Sequence, residues 1–293
     1  MFLDNFKKIK SMNEFNYLSQ KILNAEFDYK PFKHIVIENF LSDEHLDKIL
    51  NDPQIHWNET KSTEELIQIL YNRNYDVQSF PGCITNPYEY VDRLKRNDFP
   101  YGRKGNPVES FGITFRIKNY TNPFTKSLID YMNGYEFKRS LETKFNIINK
   151  NRIITTIQKN LSHYEISPHP DVREKELTYL LNINKNSSVD DFDVHTHLLS
   201  FKDEWKFVPK YWKENLSENR CWIPWEWCNT EKITNKNNSI VLFKPDIDTL
   251  HAIKLKYDHN KFQRTQIYGN LMGVGKIVPQ MNYKKLQKIK YNS

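Results

Sequence analysis

Glycine is scarce, at 8 of 293 residues, which argues against a protein built around a glycine-rich nucleotide-binding loop. Cysteine is scarcer still. Cys83, Cys221 and Cys228 cannot all pair within the chain and none lies in a close two-cysteine ligand pair, so a reducing compartment is the simpler expectation. No apolar run approaches membrane-spanning length, and the first eight residues lack the charged-then-apolar order of a signal peptide. A soluble, cytoplasmic protein with no membrane partner is therefore expected. A dense basic run is missing too. The net charge of +7 comes from lysines scattered among Asn, Ile and Tyr, so nucleic acid is not the expected partner.

What remains is a chain 38% hydrophobic and 14% aromatic, long enough to bury a sizeable core. It shows no internal repeat and no clean linker, and residues 1–293 read as a single domain. Residues 1–30 carry Phe6, Ile9, Phe15, Leu18, Ile22 and Leu23 at the spacing of one or two amphipathic helices. A short strand follows over 31–41. Ser42 then reads as the N-cap of a helix running to Leu50, with His45 at the position a capping box usually gives to Glu or Gln. Residues 63–71 form a further helical candidate. Pro81, Gly82, Pro87, Pro100, Gly102, Gly105 and Pro107 next predict a long loop. Arg96, Arg103, Lys104 and Arg116, in or after it, are either contacts for an acidic substrate or a solvated basic surface. A strand over 111–117, a helix over 122–145 and a β-branched strand over 153–158 complete the first half.

The chemistry concentrates in Tyr164-Glu165-Ile166-Ser167-Pro168-His169-Pro170-Asp171 and the apolar run Leu177-Thr178-Tyr179-Leu180-Leu181. In an extended chain His169 and Asp171 point the same way and can grip one ion. Near the C-terminus, residues 239–243, 250–255 and 262–268 read as strands, with turn chemistry over 258–261. Pairing Tyr257 with Phe262 sets Leu255 against Arg264 and brings His251 and Arg264 to the same side. Two imidazoles and one carboxylate on one triangular face suit a non-haem Fe(II) centre with open positions. A guanidinium nearby can fork onto the far carboxylate of a dicarboxylic co-substrate whose other end chelates the metal.

A rival pair is His195-Thr196-His197, which with Asp191 or Asp193 offers a zinc site. It lies in residues 185–235, which read as a long insertion. At its centre, Trp222, Trp225 and Trp227 surround Pro224 and form either a lid and substrate platform or ordinary loop packing.

Residues 158–184, with Tyr164-x-Ile166-x-Pro168-His169-x-Asp171 and the following Leu177-Thr178-x-Leu180-Leu181, resemble the bacterial and phage members of the 2-oxoglutarate- and Fe(II)-dependent oxygenase superfamily. Asn238-Ser239-Ile240-Val241-Leu242-Phe243, His251 and Arg264 are similar to that family's closing strands, and residues 31–50 to its N-terminal opening. The resemblance covers the core and not the insertion. It implies an α+β fold with a mainly β core, a double-stranded β-helix (jelly-roll, cupin-like) with flanking N-terminal helices. The domain then divides into an N-terminal helical and loop region (1–110), a jelly-roll core (111–275) holding the 185–235 insertion, and a C-terminal tail (276–293).

The resemblance further implies Fe(II) held by His169, Asp171 and His251, with Arg264 on the far carboxylate of 2-oxoglutarate. Relatives place a Ser or Thr two residues after that arginine. Here the position is Gln266, with Thr265 adjacent as the candidate hydroxyl, and Tyr164 and Tyr179 are further candidate co-substrate contacts. The implied activity is that of a dioxygenase, in which O2 and 2-oxoglutarate yield succinate and CO2 as a substrate C–H bond is hydroxylated. The expected substrate is a small biosynthetic molecule such as an amino acid, a sugar derivative or a natural-product intermediate. Alternatives are an oxygenase of nucleic-acid bases or protein side chains, or a jelly-roll binding module without turnover. Base-repair relatives carry a second arginine six residues after the first, where this chain has Asn270.

Overall fold

The computed structural model describes residues 13–99, 106–185, 190–274 and 277–292. Four of its helices begin where a side chain accepts from a free amide. After α1 (Asn16–Asn24), Ser42 Oγ accepts from the His45 amide at the head of α2 (Asp43–Leu50), and Ser62 accepts from the Glu65 amide at the head of α3 (Thr63–Asn72). Asn86 and Asn122 cap α4 (Pro87–Arg96) and α5 (Pro123–Met132), each with proline as the first helical residue. Pro87 therefore starts a helix inside the stretch expected to be loop, because proline's missing amide costs nothing in a first turn. Pro100, Gly102, Arg103, Lys104 and Gly105 lie outside the described residues, as do Phe6 and Ile9. The helix expected over 122–145 is two helices. Asn133 and Gly134 break it, and Gly134 caps α6 (Tyr135–Phe145).

Eleven strands among the described residues form two antiparallel sheets. In chain order they are β1 (His34–Ile37), β2 (Tyr75–Val77), β3 (Thr114–Ile117), β4 (Asn151–Asn160), β5 (Glu165–His169), β6 (Lys175–Asn182), β7 (Thr196–Phe201), β8 (Cys228–Thr234), β9 (Ile240–Phe243), β10 (His251–Lys254) and β11 (Arg264–Gly273). The large sheet runs β1-β9-β6-β11-β4-β3-β2 and the small one β5-β10-β7-β8. From β4 onward the chain passes back and forth between them. This winding is the expected double-stranded β-helix, and it leaves a cavity between the sheets.

Alternation along the large sheet separates core from cavity. Phe115, Ile157, Leu181, Leu242 and Ile267 face the helices, packing with Leu18, Ile22, Leu128, Phe137 and Leu141. The residues between them, including Arg116, Gln158, Leu180 and Gln266, line the cavity. That parity decides which large-sheet side chains reach the site.

Three further expectations change. The hairpin pairing Leu255 with Arg264 does not form. β10 already has β5 on one edge and β7 on the other, while β11 lies between β4 and β6. Neither has an edge left for its partner, so residues 255–263 cross from sheet to sheet. The expected insertion 185–235 contains β7 and β8, two of the small sheet's four strands, and the excursion between them is 202–227. The terminal regions also take part: β1 and β2 belong to the large sheet. The C-terminal α8 (Lys284–Asn292) packs Leu286 against Trp205, Trp212 and Trp227 of the excursion.

Candidate metal centre

β5 and β10 are neighbours, and their register sets His169 directly opposite His251. The imidazole centroids are 4.2 Å apart. Asp171 joins them, though not by strand alternation: β5 ends at His169, and Asp171 takes a left-handed conformation with φ 62°. That conformation is sparsely used by residues other than glycine, with asparagine and aspartate tolerating it best. It turns the carboxylate back onto the two rings. Ligand atoms of the three residues all lie within 4.8 Å of one another, and all three residues are buried.

Each imidazole is aimed by a carbonyl two residues upstream. His169 Nδ1 lies 2.9 Å from Ser167 O and His251 Nδ1 lies 3.1 Å from Thr249 O. A proton on each Nδ1 leaves the Nε2 lone pairs for a ligand, facing Asp171 at 3.4 Å and 3.7 Å. Burial, with His169 next, pushes His251 down to about 3. Burial alone would raise Asp171, but Lys175 and then His251 hold its carboxyl well below the usual range. Lys175 Nζ donates to Asp171 Oδ1 at 2.5 Å and Thr178 Oγ1 to Oδ2 at 2.6 Å. A neutral His251 imidazole and an ionised Asp171 carboxylate are donors of the kind a hard-to-borderline divalent cation requires.

Across the cavity, Arg264 opens β11 on the large sheet. It is 2% exposed. Its Nη1 donates to Asn160 Oδ1 at 2.6 Å, and its buried Nε has no partner among the described residues. Burial pulls this guanidinium down to about 10, because a cation taken out of water without a carboxylate is costly. The His–Asp–His cluster and Arg264 line the same cavity of about 250 Å³. A dicarboxylate chelating a metal at one end would meet both needs, so the residues fit the iron and the co-substrate that the sequence resemblance implied.

The other candidates divide. Tyr164 lines the cavity and is buried. Tyr179 and Thr265 do not line it, since both lie on the helix-facing parity. The Tyr179 ring lies across Gly269, where a Cβ would fall 2.0 Å from its Cζ, and its hydroxyl meets Thr155 Oγ1 at 2.5 Å. Thr265 Oγ1 accepts from the buried Lys159 Nζ at 2.6 Å. His197 Nε2 binds Asp193 Oδ1 at 2.7 Å and its Nδ1 lies 3.1 Å from Thr230 Oγ1. Among the described residues, His195, His197 and Asp193 form no second ligand cluster.

The three tryptophans around Pro224 have three separate places. Trp227 stacks on Trp205 at 3.5 Å, Trp225 Nε1 donates to Glu165 Oε1 at 2.9 Å, and Trp222 stacks over His169 at 5.7 Å with its ring at the cavity wall. The Ile223 amide donates to Pro168 O at 2.9 Å, tying this wall to the ligand strand. Of the three tryptophans, Trp222 alone lines the cavity, as a substrate platform would, while Lys175 and Thr178 carried no signal as site residues in the sequence.

No helix among the described residues is long and apolar enough to cross a membrane. No protein-family model matches the chain, and no curated protein matches it by sequence. Among solved structures it is similar to a prolyl-4-hydroxylase from Pseudomonas putida, at 6% identity and TM-score 0.42 over 88% of this chain and 98% of that one. It is also similar to the non-haem α-ketoglutarate-dependent epimerase SnoN from nogalamycin biosynthesis, at 8% identity and TM-score 0.39 over 88% and 82%. A third is HygX from Streptomyces hygroscopicus with nickel and 2-oxoglutarate bound, at 6% identity and TM-score 0.38 over 82% and 83%. Identities this low assign no residue a role. The chain itself supplies a double-stranded β-helix whose two sheets bring two histidines, an aspartate and a buried guanidinium to one cavity.

Proposed function

We propose that the chain is an Fe(II)- and 2-oxoglutarate-dependent dioxygenase that hydroxylates a C–H bond of a small molecule. One observation carries this reading: a buried His–Asp–His cluster and a buried arginine without a carboxylate partner among the described residues share one cavity from opposite sheets. Iron with 2-oxoglutarate supplies the oxidising power there, drawn from O2 with release of succinate and CO2.

The chain's own residues do the rest. His169, Asp171 and His251 hold the metal on one side. Arg264 takes the far carboxylate of the co-substrate, and Asn160 steadies the guanidinium from below. Tyr164 closes the same end of the cavity. Trp222, Ile253 and Leu180 keep water from the remaining wall. The cavity's size suits a small substrate, and the three unpaired cysteines suit a cytoplasmic location.

Anaerobic Fe(II) titration with and without 2-oxoglutarate tests the reading. Bidentate chelation produces a weak visible metal-to-ligand charge-transfer band. The native chain should show it, His251→Ala should not, and Arg264→Ala should need roughly 10- to 100-fold more 2-oxoglutarate, the loss expected for a charge-assisted contact. Iron binding with no band in the native chain would falsify the proposal.

A further inference from the structure

Arg264 is not the only guanidinium in the cavity. Arg116, on β3, belongs to the next row of side chains across the large sheet, where it faces Gln158, which in turn faces Gln266. Arg264 belongs to the row of Asn160 and Thr114. Two residues along β4 separate the rows, about 7 Å. Arg116 and Arg264 therefore enter the cavity at different levels.

Arg116 is held in a fixed pose. Its Nε and Nη2 both donate to Gln158 Oε1 at 3.3 Å. Its Cζ lies 5.0 Å from the Phe80 ring centroid and 4.8 Å from that of Tyr268, so the guanidinium lies over two aromatic rings. All three neighbours also line the cavity. No carboxylate among the described residues pairs with Arg116, and nothing among them accepts from its Nη1. Glu109, which shares the cavity wall, makes no ion pair with it.

The other basic side chains differ. Arg96 pairs with Asp92 at 2.6 Å along α4 in solvent, and Lys175 is spent on Asp171. Tyr268 connects Arg116 to the metal cluster, for Lys175 Nζ lies 5.8 Å from the same ring. One ring and one lysine separate Arg116 from Asp171.

We propose that Arg116 is the specificity-determining anchor for the primary substrate, which carries an oxyanion, a carboxylate or a phosphate, at the end remote from the oxidised carbon. The inference rests on the oxygenase reading for what happens at the metal, but the anion site stands on its own geometry. The rigid fork offers its free edge to two oxygens of one group, and Phe80 and Tyr268 bar the guanidinium from turning away.

The test is calorimetric titration of the full chain, loaded with Ni(II) and 2-oxoglutarate so that Arg264 is occupied, with acetate and separately with inorganic phosphate. At least one anion should bind saturably. Acetate alone would mark a carboxylate substrate, phosphate alone a phosphate ester. Arg116→Met, which keeps the stem packed against the rings, should weaken that binding roughly 10- to 100-fold. Arg116→Lys should restore part of it, and Arg96→Ala should leave it unchanged. Failure of both anions to bind, or equal binding by Arg116→Met, overturns the proposal. So does a loss of 2-oxoglutarate affinity in Arg116→Met with none in Arg264→Ala, since Arg116 would then be the co-substrate's residue. Absence of the charge-transfer band from the native chain sinks the oxygenase reading alone, because the anion titrations read Arg116 directly.

Discussion

Asp171 is held from three directions in the cavity. It sits at φ 62° and receives Lys175 on one oxygen and Thr178 on the other. Its neighbours set its orientation and its charge. Thr178→Val removes the hydroxyl that fixes Oδ2, and metal affinity should fall about 10- to 100-fold, which competition against a chelator of known affinity measures. If the affinity is unchanged, the hydroxyl does not orient the ligand. The His169-x-Asp171 pair was legible in the sequence because it is local. Lys175 and Thr178 were not, because their contact depends on a tight turn after β5 that no spacing rule predicts. Thr265 illustrates the opposite case. Once Arg264 is placed toward the cavity, strand parity turns Thr265 away, so its exclusion was readable beforehand. Tyr179 needed the cross-strand register that sets it over Gly269.

Among the elements, the strands were legible one by one and their partners were not. Residues 250–255 and 262–268 were recognised as strands, with turn residues between them, and a hairpin was the nearest solution. The fold sends them to different sheets because each is already flanked on both edges. Sequence carries edge occupancy only through the other strands. The excursion 202–227 is likewise fixed by distant groups. Arg173, just past Asp171, donates through Nε to Glu218 O at 2.8 Å and through Nη2 to Trp212 O at 2.7 Å and Asn215 O at 3.3 Å. These charge-assisted bonds fasten α7 (Phe207–Glu214) to the ligand loop. Arg173→Ala should cost about 2 kcal/mol locally. Amide hydrogen exchange should rise across 207–223 while β4, β6 and β11 stay protected. Uniform loss of protection would mean that the excursion is not a separate unit.

For the whole molecule, acid is the expected weak point. His259 is 4% exposed, accepts from the Ser162 amide at Nδ1 and meets Thr63 Oγ1 at Nε2, which ties α3 to the 255–263 crossover. Burial pushes it down to about 4, and burial, with Lys256 next, does the same to His163. Both stay neutral in the fold and take protons in the unfolded chain below about pH 6.5. The unfolded state therefore binds more protons between pH 6.5 and 4, and stability falls as the pH drops through that window. Denaturation midpoints of the metal-free chain at pH 7.5, 6 and 4.5 check this, and His259→Gln should flatten the slope. The division of labour between the sheets has a further consequence. The proposed metal ligands hang from the small sheet and its loop, while Arg264 hangs from the large one, so a molecule gripped at both ends would work as a calliper between them. Sheet separation, set near 10 Å by the side chains packed inside, then gauges length as well as charge, and a dicarboxylate one carbon too short or too long leaves one jaw empty. Resizing an apolar side chain between the sheets would reset that gauge without altering any group that grips.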